Sequence, residues 1–321
     1  MNMIRTAALA ATMAIGASAA SAQTQLSIAT GGTGGVYYPM GGGLAEVINN
    51  HVEGYSATAE VTGASVENMG LIATGDADLA IALADTVQQA YMGTGRFEGQ
   101  QLPMVRAVGS LYANMVQIVT LADSGITTIA DLKGKRVSVG APGSGTEVNA
   151  QTLLEANGIS FDDLDAQRLN FNETTDAINN GDIDAGFLSV GAPTSSILNL
   201  ATTKDIAMVS LSPEEVEAAM GADPTFAALS LPEGTYDGVE GEIATVGVPN
   251  VLVVSSEMDE ETVYLITKAM YENIAEMQAI HPAANETTVE FTMNATPVPL
   301  HPGAIRYFEE AGATIPDKLR E

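Results

Sequence analysis

Short apolar runs alternate along the chain with glycine-rich turns and stretches of helical period. Leu26 to Thr30 alternates and β-branches as a strand does, and Gly31-Gly32-Thr33-Gly34-Gly35 follows it. Val36, Met40, Leu44, Val47 and Ile48 then recur at helical spacing, with Tyr37 and Tyr38 in the first turn. Tyr55 to Val61 predicts the next strand. Gly63-Ala64-Ser65-Val66-Glu67-Asn68 opens a helix with Ser65 as its N-cap, Gly75 ends it, and Asp78 to Ala84 predicts a buried strand ending at Asp85-Thr86.

The middle of the chain repeats this plan. The strand Arg136 to Val139 leads into Gly140-Ala141-Pro142-Gly143-Ser144-Gly145-Thr146-Glu147, which opens a helix reaching about Asn157. The spacing Ser144-x-x-Glu147 reads as a capping box, and the free amides of that helix start suit a carboxylate or phosphate. Gln167 to Asn170 predicts a strand, and a helix from about Glu173 stops at Gly181. Asp184 to Ser189 predicts a strand leading to Val190-Gly191-Ala192-Pro193. Gly75-Asp76-Ala77-Asp78 and Gly181-Asp182-Ile183-Asp184 occupy matching places in the two units, which implies two similar α/β lobes.

Leu102 to Gly109 and Met115 to Leu121 read as two apolar strands, and Ala244 to Ser255 as a third apolar run. A single helix follows with Val263, Ile266, Met270, Ile274 and Met277 on its core face. The segment from about Ser212 to Glu242 reads as polar decoration. His281 to Glu321, with four prolines, reads as extended chain plus one helix near Ala304 to Ala311. The runs near 115–121 and 246–254 supply two crossings between lobes. Lobe 1 is then residues 23–113 with 248–321, and lobe 2 is residues 114–247.

Residues 1–22 read as a secretory signal cleaved before Gln23: Arg5, an apolar run from Thr6 to Gly16, and the small-x-small site Ala20-Ser21-Ala22. That run is shorter than the roughly 20 residues of a membrane span, so no membrane insertion is expected after cleavage. The chain lacks cysteine, which removes disulfides and thiolate chemistry. With 40 acidic and 12 basic residues it carries −28, and loss of Arg5 with the signal gives −29. Nucleic acid and anionic membranes are poor partners for such a chain, and an anionic ligand must be held by amides and hydroxyls.

Enzyme signatures fail at the letters that carry the chemistry. Gly140 and Gly145 have Walker A spacing, yet Thr146 stands in the place of the phosphate-gripping lysine. A dinucleotide fingerprint from Gly32 needs glycine at Tyr37. Ser144 has Pro142 where a nucleophile elbow needs glycine. His51, His281 and His301 have no metal-ligand spacing, so no metal, cofactor or catalytic set is expected. What remains is a set of loops at strand C-terminal ends, where open α/β sheets bind ligands. In the first unit they are Thr33, Gly34, Tyr37 and Tyr38, then Ser65 and Asn68, then Asp85 and Thr86. In the second they are Gly143, Ser144, Gly145 and Thr146, and Gly191, Ala192 and Pro193. One of the adjacent tyrosines is expected to face the cleft, and Asp85 either holds an ammonium group or fixes its loop. Two such lobes joined by two strands describe a hinge-closing solute binder.

Thr30 to Pro39, Gly63 to Asn68, Asp131 to Glu147, and His301-Pro302-Gly303-Ala304 together resemble the TAXI family. These are the substrate-binding proteins of TRAP (tripartite ATP-independent periplasmic) transporters, and the resemblance spans nearly the whole mature chain. It implies a type II-like, two-lobed α/β periplasmic-binding-protein fold with two hinge strands. It also implies a periplasmic receptor that delivers a small organic anion or acidic amino acid, such as glutamate, glutamine or a 2-oxoglutarate-like acid, to an integral-membrane permease driven by an ion gradient. The glycine-tyrosine loop, the Ser65–Asn68 loop and the Ser144–Thr146 loop would line the cleft without one dominant arginine. The family often has aspartate-valine-alanine where this chain has Asp85-Thr86-Val87, and Thr86 adds a hydroxyl there. A sensor reporting to a membrane signalling partner would share the same fold, as would an exported enzyme using the same cleft.

Overall fold

The computed structural model describes residues 23–320, so the signal read in residues 1–22 lies outside the described residues. The first unit is β1 (Thr24–Ala29), α1 (Tyr37–His51), β2 (Tyr55–Glu60), α2 (Ser65–Thr74), β3 (Leu79–Leu83) and α3 (Ala84–Met92). The long strand β4 (Val105–Leu121) leads to the second unit, β5 (Arg136–Ser138), α4 (Gly145–Ala156), β6 (Asp165–Gln167), α5 (Phe171–Asn180), β7 (Ala185–Val190) and α6 (Ser195–Ala201). After β8 (Ile206–Met208), α7 (Pro213–Ala222) and β9 (Ala227–Leu231) comes the second long strand, β10 (Ile243–Ser255). Helices α8 (Glu260–Glu272), α9 (Ile274–Ile280), α10 (Val289–Ala295) and α11 (Pro302–Glu310) close the chain.

The ten strands of the described residues form one sheet in the order β2-β1-β3-β10-β4-β7-β5-β6, with β8 on β4 and β9 on β10. Within each unit the strands are parallel: β1 with β2 and β3, and β5 with β6 and β7. The antiparallel pair β4–β10 joins the two parallel blocks. Strand β3 ends opposite β10, Leu83 facing Asn250, and β7 ends opposite β4, Val190 facing Met115. Since Gly247 of β10 pairs Met115 of β4, the C-terminal ends of both blocks meet near the middle of the crossing strands. Every residue of β3 and β7 is buried, as expected of parallel strands covered on both faces.

The repeat is visible atom by atom. Gly75 and Gly181 end α2 and α5 in the left-handed region, at φ 74° and 76°. Three positions later, Asp78 accepts from Ser27 N at 2.8 Å and from Ser27 Oγ at 3.1 Å. Asp184 accepts from Arg136 N at 2.9 Å and from its guanidinium at 2.6 Å. Each aspartate thus ties the entry of one strand to the neighbouring parallel strand. Hydrogen bonds from Arg136 hold the Asp184 carboxyl below the usual carboxylate range.

Several elements differ from the sequence expectation. The runs 102–109 and 115–121 belong to one 17-residue strand, β4, because Ser110, Asn114 and Gln117 find buried partners instead of breaking it. The strand expected at 167–170 ends at Gln167, and Asn170 instead caps α5 through a reciprocal box with Glu173. The helix after β10 breaks at Asn273, whose side chain donates to Ala269 O at 2.9 Å. Segment 212–242 contributes α7 and β9, the latter pairing with β10. The C-terminal stretch holds α10 as well as α11, and Leu300 lies beside Ala107 of β4. Asp85 and Thr86 sit in the first turn of α3 and not at a strand end. Ser65 is the first residue of α2, following Ala64, and its hydroxyl accepts from Leu83 N at 3.1 Å.

Replacing Asp78 by alanine leaves the partly buried amide and hydroxyl of Ser27 in β1 without this charged acceptor, so Asp78→Ala should lower stability by about 1–3 kcal/mol. Asp76, two residues earlier, accepts only from exposed Thr74, so Asp76→Ala should stay within about 0.5 kcal/mol. Urea denaturation of both variants checks the contrast.

Candidate functional site

A cavity of about 370 Å³ lies where the two parallel blocks face each other. That volume is near the small end of the roughly 300–1,000 Å³ range of small-molecule sites. The first unit supplies Gly31, Gly32, Gly35, Val36 and Tyr37, then Val61 to Ser65, and Leu83. The second supplies Ala141, Pro142, Ser144, Gly145 and Thr146, then Asn170, Phe171 and Glu173, and Ser189 and Val190. Asn114 of β4 completes the wall. Among the described residues the lining contains no lysine or arginine, and Glu173 is its one charged side chain.

Several helix starts line the cavity, that of α1 through its N-cap Val36 and first residue Tyr37. In α4, Ser144 is the N-cap and accepts from Glu147 N at 3.2 Å. The reciprocal half of the capping box is replaced: the Glu147 carboxylate accepts from Arg168 Nε at 2.8 Å and lies 3.3 Å from Arg96. Gly145 and Thr146 are the first helical residues, so their N–H groups have no intrahelical carbonyl, and both line the cavity. In α2 the amides of the second and third residues are occupied. Val66 N and Glu67 N donate to Gly143 O of the opposite unit at 3.1 and 3.2 Å. In α5 the Asn170 side chain accepts from Glu173 N at 3.1 Å, and Asn170 N donates to the Glu173 carboxylate at 2.9 Å.

The glycines are where the units touch. A Cβ on Gly145 would lie 2.5 Å from Leu83 Cδ1 and 2.7 Å from Ser65 Oγ. One on Gly35 would lie 2.9 Å from Phe171 Cε2, and one on Gly34 would run into Asn172. The Gly34 carbonyl accepts from Thr194 Oγ1 at 3.0 Å and Ser195 Oγ at 3.3 Å, another contact between units. Ala64, at φ 75° and ψ −146°, sits in a region that non-glycine residues avoid, with its N–H held by Thr62 Oγ1 at 3.0 Å. This bend feeds Ser65 into the cavity wall.

Beneath the cavity runs a buried chain of hydrogen bonds. Tyr37 OH donates to Asn250 Oδ1 at 2.5 Å, Asn250 Nδ2 donates to Asn114 Oδ1 at 2.8 Å, and Asn114 Nδ2 donates to Ser189 O at 2.8 Å. It links α1, both crossing strands and β7. Burial pushes the Tyr37 phenol far above its ordinary range, with the Ser65 hydroxyl opposing, so it stays a neutral donor. The Ser189 hydroxyl, on the cavity wall, is buried with no hydrogen-bond partner among the described residues.

Of the residues singled out from sequence, Tyr37, Ser65, Ser144, Gly145 and Thr146 line the cavity. The others lie around it. Tyr38 points to solvent and Thr33 is exposed, so Tyr37 is the inward-facing member of the tyrosine pair. Gly34 and Gly143 offer carbonyls to the opposite unit. Asn68 is fully buried, donating to Thr30 O and Ile81 O and accepting from Thr62. Asp85 and Thr86 are buried behind the wall, where Asp85 accepts from Asn149 Nδ2 at 2.7 Å. Gly191 packs on Tyr112, and Pro193 O accepts from His281 at 3.2 Å. Sequence reasoning missed Thr62, Asn114, Asn170, Phe171, Glu173 and Ser189. The Asn170-x-x-Glu173 box was a readable helix-start signal, and Asn114 a polar letter inside an apolar run.

Among the described residues no three acidic or histidine side chains converge as a metal site, and no helix is long and apolar enough to cross a membrane. The fold is similar to several solved structures. PhnD1 from Prochlorococcus marinus (MIT 9301), solved with methylphosphonate, is 11% identical with a TM-score of 0.55, over 82% of this chain and 90% of that one. A chain from Bordetella bronchiseptica RB50 is 18% identical with a TM-score of 0.53, over 92% and 91%. A putative L-cystine ABC transporter structure from Listeria monocytogenes is 11% identical with a TM-score of 0.52, over 80% and 94%. At such identities the likeness is one of fold, the α/β fold of two-lobed periplasmic-binding proteins. In sequence, residues 28–312 match the NMT1-like family, and the chain belongs to that family.

Proposed function

We propose that this protein is an extracytoplasmic receptor that closes on a small carboxylate and delivers it to a TRAP permease driven by an ion gradient. The observation that carries the binding half is the start of α4: two free amides, Gly145 and Thr146, open on a cavity walled by both units. A carboxylate there meets amides at the positive end of a helix dipole, with the Ser65 and Ser144 hydroxyls on the same wall. Residues 23–113 with 248–321 form one lobe and residues 114–247 the other, so β4 and β10 both change lobe where the buried chain of asparagines runs. Delivery to a TRAP permease rests on the resemblance of the Thr30–Pro39, Gly63–Asn68 and Asp131–Glu147 motifs to the TAXI family. Solute-binding relatives of the same fold support the receptor role.

The charge of the wall narrows the ligand. A dianion such as 2-oxoglutarate would lie beside Glu173 with no lysine or arginine to offset it. An amino acid brings an ammonium for Glu173 and a carboxylate for α4. Glutamate or glutamine is therefore preferred over 2-oxoglutarate.

Ligand-stripped protein should melt higher with L-glutamate or L-glutamine, by about 2.7 kcal/mol of stability at one hundred times the dissociation constant. A thermal-shift panel in which only sugars or apolar compounds stabilise the protein would overturn the carboxylate assignment. Glu173→Gln keeps the oxygen that caps α5 and removes the charge. It should narrow the preference for L-glutamate over 2-oxoglutarate by roughly fivefold in calorimetric titrations, the worth of about 1 kcal/mol. Gly145→Ala should weaken ligand binding by about fivefold to 150-fold, since overpacking costs about 1–3 kcal/mol in the closed contact. Its ligand-free stability should change by less than about 0.5 kcal/mol, because alanine suits a first helical turn.

A further inference from the structure

Asp85 stands out among the acidic residues because it is fully buried and meets the opposite unit. It sits in the first turn of α3, and its carboxylate accepts from Asn149 Nδ2 of α4 at 2.7 Å. Its other side-chain partner is the neighbouring Thr86 hydroxyl at 3.3 Å. Both partners are neutral. Asn149 is itself fully buried, and its Oδ1 has no hydrogen-bond partner among the described residues. A buried carboxylate facing an amide with an unused acceptor is a pair short of one proton.

The charged and titratable groups around it do not supply a cation. On α4, Glu147 is occupied by Arg168 and Arg96, and Arg96 also donates to Gln151 at 3.2 Å. Arg106 of β4 lies over the Tyr91 ring of α3, 5.9 Å from its centre. Tyr37 of α1 is a neutral phenol, and Asp223 beyond α7 adds a second negative charge. Burial, reinforced by Asp223 and opposed by the Thr86 amide and hydroxyl, pushes the Asp85 carboxyl up to about 7.

We propose that the Asp85–Asn149 contact is a proton-gated latch: closing α3 against α4 takes one proton from solvent onto Asp85, whose O–H then donates to the turned amide oxygen of Asn149. The inference rests on the hinge-closing reading but not on the identity of the ligand. Opening returns Asp85 to water and to its ordinary acidity. The sign follows. The closed form is favoured most at or below the ordinary carboxylate range and loses that advantage as pH rises to about 7, above which the balance is flat.

The chain has no cysteine, so Glu53→Cys and Glu217→Cys, exposed residues of the two units, accept a donor and an acceptor dye without background. Energy transfer in the ligand-free protein, followed from about pH 5 to about pH 8, reads the closed-to-open ratio. That ratio should fall by up to about tenfold per pH unit and level off near pH 7. Asp85→Asn, whose amide can donate to Asn149 Oδ1, should abolish the slope. Asn149→Asp, which sets two carboxylates together, should steepen it and shift closure to lower pH. A flat wild-type profile, or the wild-type slope retained in Asp85→Asn, would overturn the latch. Failure of L-glutamate to bind counts against the carboxylate reading and leaves this profile unaffected.

Discussion

The antiparallel pairing of β4 and β10 is the constraint on which the rest of the molecule depends. Two parallel α/β blocks are held in one sheet by these two strands in the middle of the strand order, and one apolar core runs through both. Their pairing fixes where β3 and β7 end, and hence where the loops beyond those ends meet. Polar residues inside the crossing strands would be costly if unpaired. Here the asparagines at 114 and 250 satisfy each other and reach Tyr37 on one side and Ser189 on the other. The crossing is therefore both a joint and a hydrogen-bonded floor for the cavity.

Glycine has a different task in this protein from the one its phosphate-loop spacing suggests. At Gly34, Gly35 and Gly145 the missing side chain is what lets one unit approach the other. Backbone meets side chain at these points, and the carbonyls of Gly34 and Gly143 accept hydrogen bonds across the gap. Two amides of α2 are thereby used within the protein, whereas Gly145 and Thr146 of α4 keep theirs free on the wall that also carries the Ser65 and Ser144 hydroxyls. Strain at Ala64 and the Asp85–Asn149 hydrogen bond both lie where the two units meet.

Much of this was legible in the letters where local chemistry decides. The matching Gly-Asp-x-Asp stretches announced two units, and they do end helices and pin strands in the same way. The buried runs of β3 and β7 were readable because strands covered on both faces are apolar throughout. The failures lie where long-range partners overrule local pattern. Asn114 and Gln117 look like interruptions of a strand until β7 accepts their side-chain hydrogens. Asp85 reads as a ligand group at a strand end, whereas an asparagine 64 positions later claims it. Phe171 and Asn172 belong beside Gly35 and Gly34, a proximity that spacing along the chain cannot show.

The central claim is that the two units close upon a small carboxylate bearing an ammonium group. Small-angle X-ray scattering of ligand-stripped protein, with and without saturating L-glutamate, tests it most directly. The account predicts a smaller radius of gyration with the amino acid and no compaction in Gly145→Ala at the same concentration. An unchanged radius in the wild-type protein, with L-glutamate bound by calorimetry, would contradict it.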